Sequence, residues 1–213
     1  MSSAEPTALL RAGLLEGVSI LLARAPGSGS AELGFAGPVK ERCRALGAAV
    51  AACQATATGS PEDREAADEA EVLRAREKLG GVDVLIVDSA GMFEGAGEGD
   101  ALSETLQSTW NLTRALANGA FIAGQAGGRV ILLSPPSAPG AGHATAAAAG
   151  LENLARTLSV EWARYGITVV AIAPGRETGA DEVASLSAWL ASPAGAYFSG
   201  CLMDLTGPRA AGA

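Results

Sequence analysis

The sequence predicts an α/β fold in which helices cover both faces of a parallel sheet. Short apolar runs, such as residues 18–23 and 82–87, alternate with longer stretches whose apolar residues recur at helical spacing. Apolar runs of this length are typical of strands that are buried on both faces. Strands that alternate with crossover helices form parallel, doubly wound sheets. The chain of 213 residues is long enough for one such domain, and its 48% of hydrophobic residues can fill the core.

The predicted elements follow one another without a linker or an internal repeat. Strands are predicted at residues 18–23, 48–53, 82–87, 130–133, 167–173 and 201–205, and helices at 38–46, 61–79, 101–121, 144–165 and 181–191. The helix from residue 61 has the clearest start, because Ser60 is a favoured N-cap residue and Pro61 suits the first helical position. Gly80 and Gly81 are expected to end it.

Charge and composition exclude several classes of function. Fifteen basic residues against 23 acidic residues give a net charge of −8, so we expect neither a nucleic-acid partner nor docking on an anionic membrane. No apolar run reaches the roughly 18 residues of a membrane span, and no secretion signal is visible at the start. Three scattered cysteines without CxxC spacing and a single histidine, His143, predict a cytoplasmic protein without a metal site.

Several segments resemble the short-chain dehydrogenase/reductase family. Residues 80–91 end in Asp-Ser-Ala-Gly and resemble the family's fourth strand, which usually ends in Asn-Asn-Ala-Gly. Residues 127–131 resemble the fifth strand, and residues 149–175, which run from Ala-Gly-Leu to Ala-Pro-Gly, match the catalytic helix and the sixth strand. The likeness implies a single Rossmann-like domain over 1–213 with its core at 18–207. Since the chain between Cys53 and Val82 is short, one strand and one helix of the usual fold are expected to be missing.

The positions that carry the family's chemistry are altered. In the family, a tyrosine exchanges a proton with the substrate oxygen and a lysine four residues later lowers the pKa of its phenol, while a serine polarises the carbonyl. The resemblance places these three groups at Ala144, Ala148 and Pro135, none of which can exchange a proton. Only the family's asparagine, which orders a water molecule, is retained, as Asn111. We therefore expect no catalytic residues and a chain that is not an enzyme by itself.

The glycine-rich loop of the family is degraded as well. In the family, its glycines let the backbone and a helix N-terminus approach the pyrophosphate of the cofactor. Gly27, Gly29 and Gly34 remain here, but Glu32 takes the place of the middle glycine, and its carboxylate would repel a phosphate. The acidic residue that would hold an NAD ribose is replaced by Gln54. We expect no cofactor to be bound by this chain.

The resemblance also implies that the chain functions as one subunit of an assembly. We expect a non-catalytic subunit that forms a heteromer with an active, NAD-dependent homologue, through the helices near 101–121 and 144–165. The second helix carries an apolar stripe for this contact, made by Leu151, Leu154, Leu158 and Trp162. NAD is expected in the partner subunit. By analogy with known two-subunit members, the expected substrate is a hydroxyacyl-CoA such as hydroxybenzylsuccinyl-CoA.

Two alternatives remain open. The chain could be an enzyme with changed chemistry, similar to halohydrin dehalogenases, with His143 beside the lost tyrosine position as a replacement acid or base. It could also be a stand-alone ligand-binding module that uses the vacated groove. Asp88 and Ser134 are expected to cap turns or helices.

Overall fold

The computed structural model describes residues 10–27, 33–96, 100–137 and 140–207. Six strands form one sheet in which every neighbouring pair is parallel, with the order β2-β1-β3-β4-β5-β6. The strands are β1 (Ser19–Arg24), β2 (Ala49–Gln54), β3 (Val84–Asp88), β4 (Gly128–Leu133), β5 (Ile167–Pro174) and β6 (Cys201–Leu205). The α-helices are α1 (Ala36–Ala45), α2 (Pro61–Leu79), α3 (Ser89–Gly95), α4 (Ala101–Leu116), α5 (Gly142–Glu161) and α6 (Ala180–Ala191).

The sheet lies between two helical layers. Successive side chains of a strand point to opposite faces, so Leu21 and Leu85 pack with α2, α4 and α5, whereas Ile20 and Ile86 pack with α1 and α6. All five residues of β3 are buried, as expected of a central strand covered on both sides. The predicted doubly wound α/β fold is confirmed.

The stretch between β2 and β3 has the shortened form that the sequence predicts. It contains α2 and no strand, so β2 is left at the edge of the sheet. The start of α2 is a capping box in which Ser60 and Asp63 bond each other's backbone amides, and Gly80, at φ 71°, ends the helix. The predicted bounds of this helix are confirmed.

Two helices near the carboxyl edge differ from the prediction. The short helix α3 was not predicted, because a seven-residue segment with two glycines has little helical preference of its own. It forms because the Asp88 carboxylate accepts a hydrogen bond from the Gly91 amide at 3.1 Å and caps the first turn. Helix α4 ends at Leu116 and continues as a π-helical turn over Ala117–Ile122, where one regular helix was predicted.

The apolar stripe on α5 divides into two parts. Leu151 and Leu158 are 0% and 4% exposed and belong to the core of this chain, so they are not available to a partner. Leu154 and Trp162 are partly buried and pack only against the rim of that core. In the described part of the chain, no helix has the length and apolar character to cross a membrane.

Candidate active site

A cavity of about 650 Å³ lies at the carboxyl ends of β5 and β6. Ligands of open α/β sheets bind outside the carboxyl ends of the strands, and the volume lies within the usual range for small-molecule sites. One wall is held by Thr178, whose hydroxyl accepts from the Gly175 amide at 2.8 Å and donates to the Leu205 carbonyl at 3.0 Å. The cavity is lined by Ser137, Thr145, Gly175, Arg176, Glu177, Thr178, Glu182, Leu205, Thr206 and Gly207.

The positions of the family's tyrosine and lysine lie on α5 next to this cavity. Ala144 and Ala148 are both 8% exposed, and Thr145, between them in the first turns of the helix, lines the cavity. A methyl group can neither donate nor accept a proton, so these positions contribute packing only. His143 is exposed at the second residue of α5 and is not among the lining residues. Nothing in this geometry supports His143 as a replacement acid or base.

Buried hydroxyl groups lie at the ends of the neighbouring strands β3 and β4. Ser89 and Ser134 follow directly on Asp88 and Leu133, which are paired across the two strands. The Ser89 hydroxyl is 2.8 Å from that of Thr109 on α4, whereas the buried Ser134 hydroxyl has no partner in the described part of the chain. Pro135, at the position of the family's serine, is buried beside it. No sequence motif points to Thr109, because a threonine inside a helix belongs to no recognisable pattern.

Asn111 bonds other side chains of the chain, whereas the resemblance implies that it orders a water molecule. Its amide is only 2% exposed and donates to Asp68 of α2 at 3.4 Å, while its oxygen accepts from Gln107 at 2.8 Å. Asp68 also accepts from the Thr56 amide at 2.7 Å. Burial raises the pKa of Asp68 above its usual value, and the bonds from Thr56 and Asn111 oppose this shift. Asn111 therefore joins α4 to α2 and to the loop after β2.

The start of α1 is bonded to carboxylates of the chain itself. Asp88 accepts from the amides of Phe35 at 2.9 Å and Ala36 at 2.7 Å, and Glu94 accepts from the Gly34 amide at 2.9 Å. Burial raises the pKa of Asp88 to about 6, although its amide partners lower it. Helix N-termini of this kind hold the phosphates of dinucleotides in related folds.

These contacts do not fit a dinucleotide pyrophosphate. Three amides at the start of α1 are already bonded, and a phosphate about 4 Å from either carboxylate would be repelled by roughly 1 to 4 kcal/mol. Gly34, at φ +59°, is needed for close packing, because a Cβ atom there would lie 2.3 Å from the Gly91 nitrogen. Gly27 has a positive φ of 93°, and Gly29 and Glu32 lie outside the described residues. Gln54 donates to the Gly27 carbonyl at 3.4 Å and so ties β2 to this loop.

Within the ranges that the structure describes, no three His, Cys, Asp or Glu side chains are grouped so that they could hold a metal ion. Burial raises the pKa of Cys43 and of Cys53 to about 12, so neither thiol is an activated nucleophile.

Comparison with known proteins identifies the family of this chain. The model of the short chain dehydrogenase family matches residues 13–189. The chain is 30% identical over 173 residues to a probable 2,4-dienoyl-CoA reductase of Bacillus subtilis, a match that covers 61% of this chain and 66%, just under two thirds, of that relative. A citronellol catabolism dehydrogenase of Pseudomonas aeruginosa, AtuB, has the same fold, with a TM-score of 0.71, 21% identity and coverage of 92% of this chain and 96% of that one. A short chain dehydrogenase of Mycobacterium smegmatis gives a TM-score of 0.72 at 24% identity, with 93% and 95% coverage.

These comparisons correct one expectation from the sequence. We expected a chain that is not an enzyme by itself, and this is wrong: the family model is that of a dehydrogenase and the relative is named a reductase, which points to an oxidoreductase enzyme. The expectation relied on the altered positions Ala144, Ala148 and Pro135, and these changes leave the family's fold and a cavity at the carboxyl edge of the sheet in place. The chain belongs to the short-chain dehydrogenase family.

Proposed function

We propose that this chain is an oxidoreductase that acts on a CoA thioester. The observation that carries the proposal is the likeness to a probable 2,4-dienoyl-CoA reductase, a protein whose name specifies a thioester substrate. The cavity at the ends of β5 and β6 supports it, since about 650 Å³ is enough for an acyl group of moderate size. Substrates of this class include enoyl-CoA and hydroxyacyl-CoA thioesters, and hydroxybenzylsuccinyl-CoA is one hydroxyacyl candidate.

We further propose that the chain works in an assembly with a homologous subunit that holds NAD. The supporting observation is the start of α1, where Asp88 and Glu94 already bond the amides that a pyrophosphate would use. The nicotinamide cofactor supplies or accepts hydride in this family. Thr145 and Thr178 of this chain would line the acyl site together with Arg176, the only arginine among the described residues that line the cavity.

Helices α4 and α5 offer the surface for that assembly. Leu106 and Trp110 of α4, together with Leu154 of α5, are only partly buried by this chain. Gly150 lets the two helices approach closely, because a Cβ atom there would lie 3.0 Å from the Leu106 side chain. Partly buried apolar side chains on adjacent helices are typical of a subunit contact.

The experiment is a turnover assay on this chain co-purified with a homologous dehydrogenase from the same host. Acyl-CoA substrates of both types, 2-enoyl and 3-hydroxyacyl, are followed by the absorbance of NADH. We expect Thr145→Phe, which fills the cavity, to lower kcat/KM at least about tenfold. The matched control is Thr157→Phe on the exposed side of α5. Equal kcat/KM for both variants, or turnover of no thioester, would contradict the proposal.

A further inference from the structure

The outer edge of β2 carries main-chain groups without a partner strand. The Ala49 amide donates to the Val18 carbonyl at 3.0 Å and the Ala55 amide donates to the Arg24 carbonyl at 2.9 Å, so the odd-numbered residues of β2 face β1. In a parallel pair the main-chain groups alternate in direction. Val50, Ala52 and Gln54 therefore direct their main-chain groups away from the sheet.

One of these groups is occupied by a side chain. Arg44 of α1 donates to the Val50 carbonyl at 2.9 Å, which confirms that Val50 faces outward. Among the described residues, the main-chain groups of Ala52 and Gln54 have no hydrogen-bond partner at this edge. An open strand edge is a template for pairing with a further strand.

A groove of about 300 Å³ runs beside this edge, on the face of the sheet that α1 covers. Leu22 and Ala36 form its apolar floor, and the exposed Ala52 lies at its rim. Three of the fifteen basic residues of the chain, Arg24, Lys40 and Arg44, line this groove, against one acidic residue, Glu41. Lys40 and Arg44 outnumber Glu41 in this lining even without Arg24, so the groove favours a negatively charged occupant.

We propose that this groove binds an extended acidic segment of a partner protein, which adds to β2 as a further strand. Main-chain hydrogen bonds to Ala52 and Gln54 hold such a segment, and alternate acidic side chains lie beside Lys40 and Arg44. A second copy of this chain fits poorly. Antiparallel pairing of two β2 strands across a two-fold axis would bring α1 against its own copy, with the two basic rims facing each other.

The test uses the full chain and two fluorescein-labelled peptides, Glu-Val-Glu-Val-Glu-Val and Lys-Val-Lys-Val-Lys-Val, in a fluorescence anisotropy titration. We expect the acidic peptide to bind and the basic peptide not to bind. Lys40→Glu should weaken the acidic peptide about five- to tenfold, because it reverses one charge pair. Lys78→Glu, at the only other lysine of the chain, is the matched control and should leave the affinity unchanged.

A second variant separates strand addition from simple charge attraction. Ala52→Pro removes an outward N–H and leaves the hydrogen bonds to β1 in place, because the Ala52 amide does not face β1. It should weaken the acidic peptide about threefold to tenfold. Hydrogen exchange gives an independent measurement: the peptide should protect the amides of Ala52 and Gln54, while those of Ala51 and Cys53 are protected with or without it.

Four outcomes would overturn the proposal. The first is that the wild-type chain does not bind the acidic peptide, and the second is that it binds the basic peptide equally well. The third is that Lys40→Glu weakens binding but Ala52→Pro does not, which would mean that the peptide binds by charge attraction and does not add to β2 as a strand. The fourth is that the acidic peptide binds only after residues 1–9 are deleted, which identifies the chain's own terminus, with Glu5, as the occupant.

Discussion

The carboxylate of Asp88 lies 2.7 Å from the amide nitrogen of Ala36 and joins the end of β3 to the first turn of α1. The same carboxylate bonds the amides of Phe35 and Gly91. One buried acid thus joins the end of β3 to the first turns of α1 and α3. The family's usual residue at this position, asparagine, has the same shape without the charge.

The charge of Asp88 should make stability depend on pH. Burial raises the pKa of the folded-state carboxyl to about 6 from 3.8, so its protonated form is favoured in the folded chain. The stability from this group is therefore present below about pH 4 and is lost as the pH rises through 6. The comparison is between the free energy of unfolding of the wild type and that of the Asp88→Asn variant. We expect the wild type to lose at most about 3 kcal/mol relative to this variant between pH 4 and pH 7. Urea unfolding across this range measures it, and parallel profiles for the two proteins would contradict it.

Gly34 should tolerate no side chain. A Cβ atom at this residue would lie 2.3 Å from the Gly91 nitrogen and 2.7 Å from an Asp88 oxygen, and φ is +59°. Gly34→Ala should lower the free energy of unfolding by about 3 kcal/mol or more. Gly27→Ala is the control, since Gly27 has a φ of +93° but nothing within 4 Å of the added carbon, and it should cost only about 1 kcal/mol. Equal losses in urea unfolding would show that φ alone matters.

Removal of the Asn111 amide should leave the buried Asp68 short of a donor. We expect Asn111→Ala to destabilise the chain by about 1 to 3 kcal/mol, because an unsatisfied buried acceptor loses its compensation for desolvation. Asn153→Ala, at an exposed position of α5, should change stability by less than about 0.5 kcal/mol. Thermal unfolding of both variants provides the comparison. A loss no larger than that of the control would mean that Asn111 has no structural role.

The two serines at the strand ends should respond differently to alanine. Ser89→Ala breaks the 2.8 Å bond to Thr109 and should cost about 1 kcal/mol. Ser134→Ala removes a buried hydroxyl for which the described residues offer no partner, so it should be neutral or slightly stabilising. Chemical denaturation of the two variants is the measurement. If Ser134→Ala is the more damaging change, its hydroxyl has a partner such as a bound water molecule.

The proposed assembly can be tested on the apolar stripe of α5. Trp162→Glu should dissociate the pair and leave this chain folded, because Trp162 is only partly buried in its own core. Leu158→Glu should instead unfold the chain, since Leu158 is 4% exposed and a buried unpaired carboxylate costs several kcal/mol. Light scattering gives the mass of the complex and circular dichroism the folded state. An unchanged mass with Trp162→Glu would rule out this surface.

The sequence predicted much of the fold because its signals are local. The apolar strand segments, the capping serine of α2 and the glycine at its end each act within a few residues, and the structure has strands and helices close to the predicted bounds. The absence of proton-transfer groups at positions 144 and 148 is likewise a property of residue identity. The inference drawn from the altered positions 144, 148 and 135, that the chain is no enzyme by itself, was wrong, because the family model and the named relative point to an oxidoreductase.

The arrangement of the candidate site was decided by the tertiary structure alone. Residues 53 positions apart, Asp88 and Phe35, become bonded because parallel strands bring their carboxyl ends to one edge of the sheet. Asn111 bonds Asp68, 43 positions away, because α4 packs on α2. Short-range patterns carry no information on such distant pairs. The division of the α5 stripe into core and rim also depends on which side chains the sheet covers, and that is a property of the packed chain.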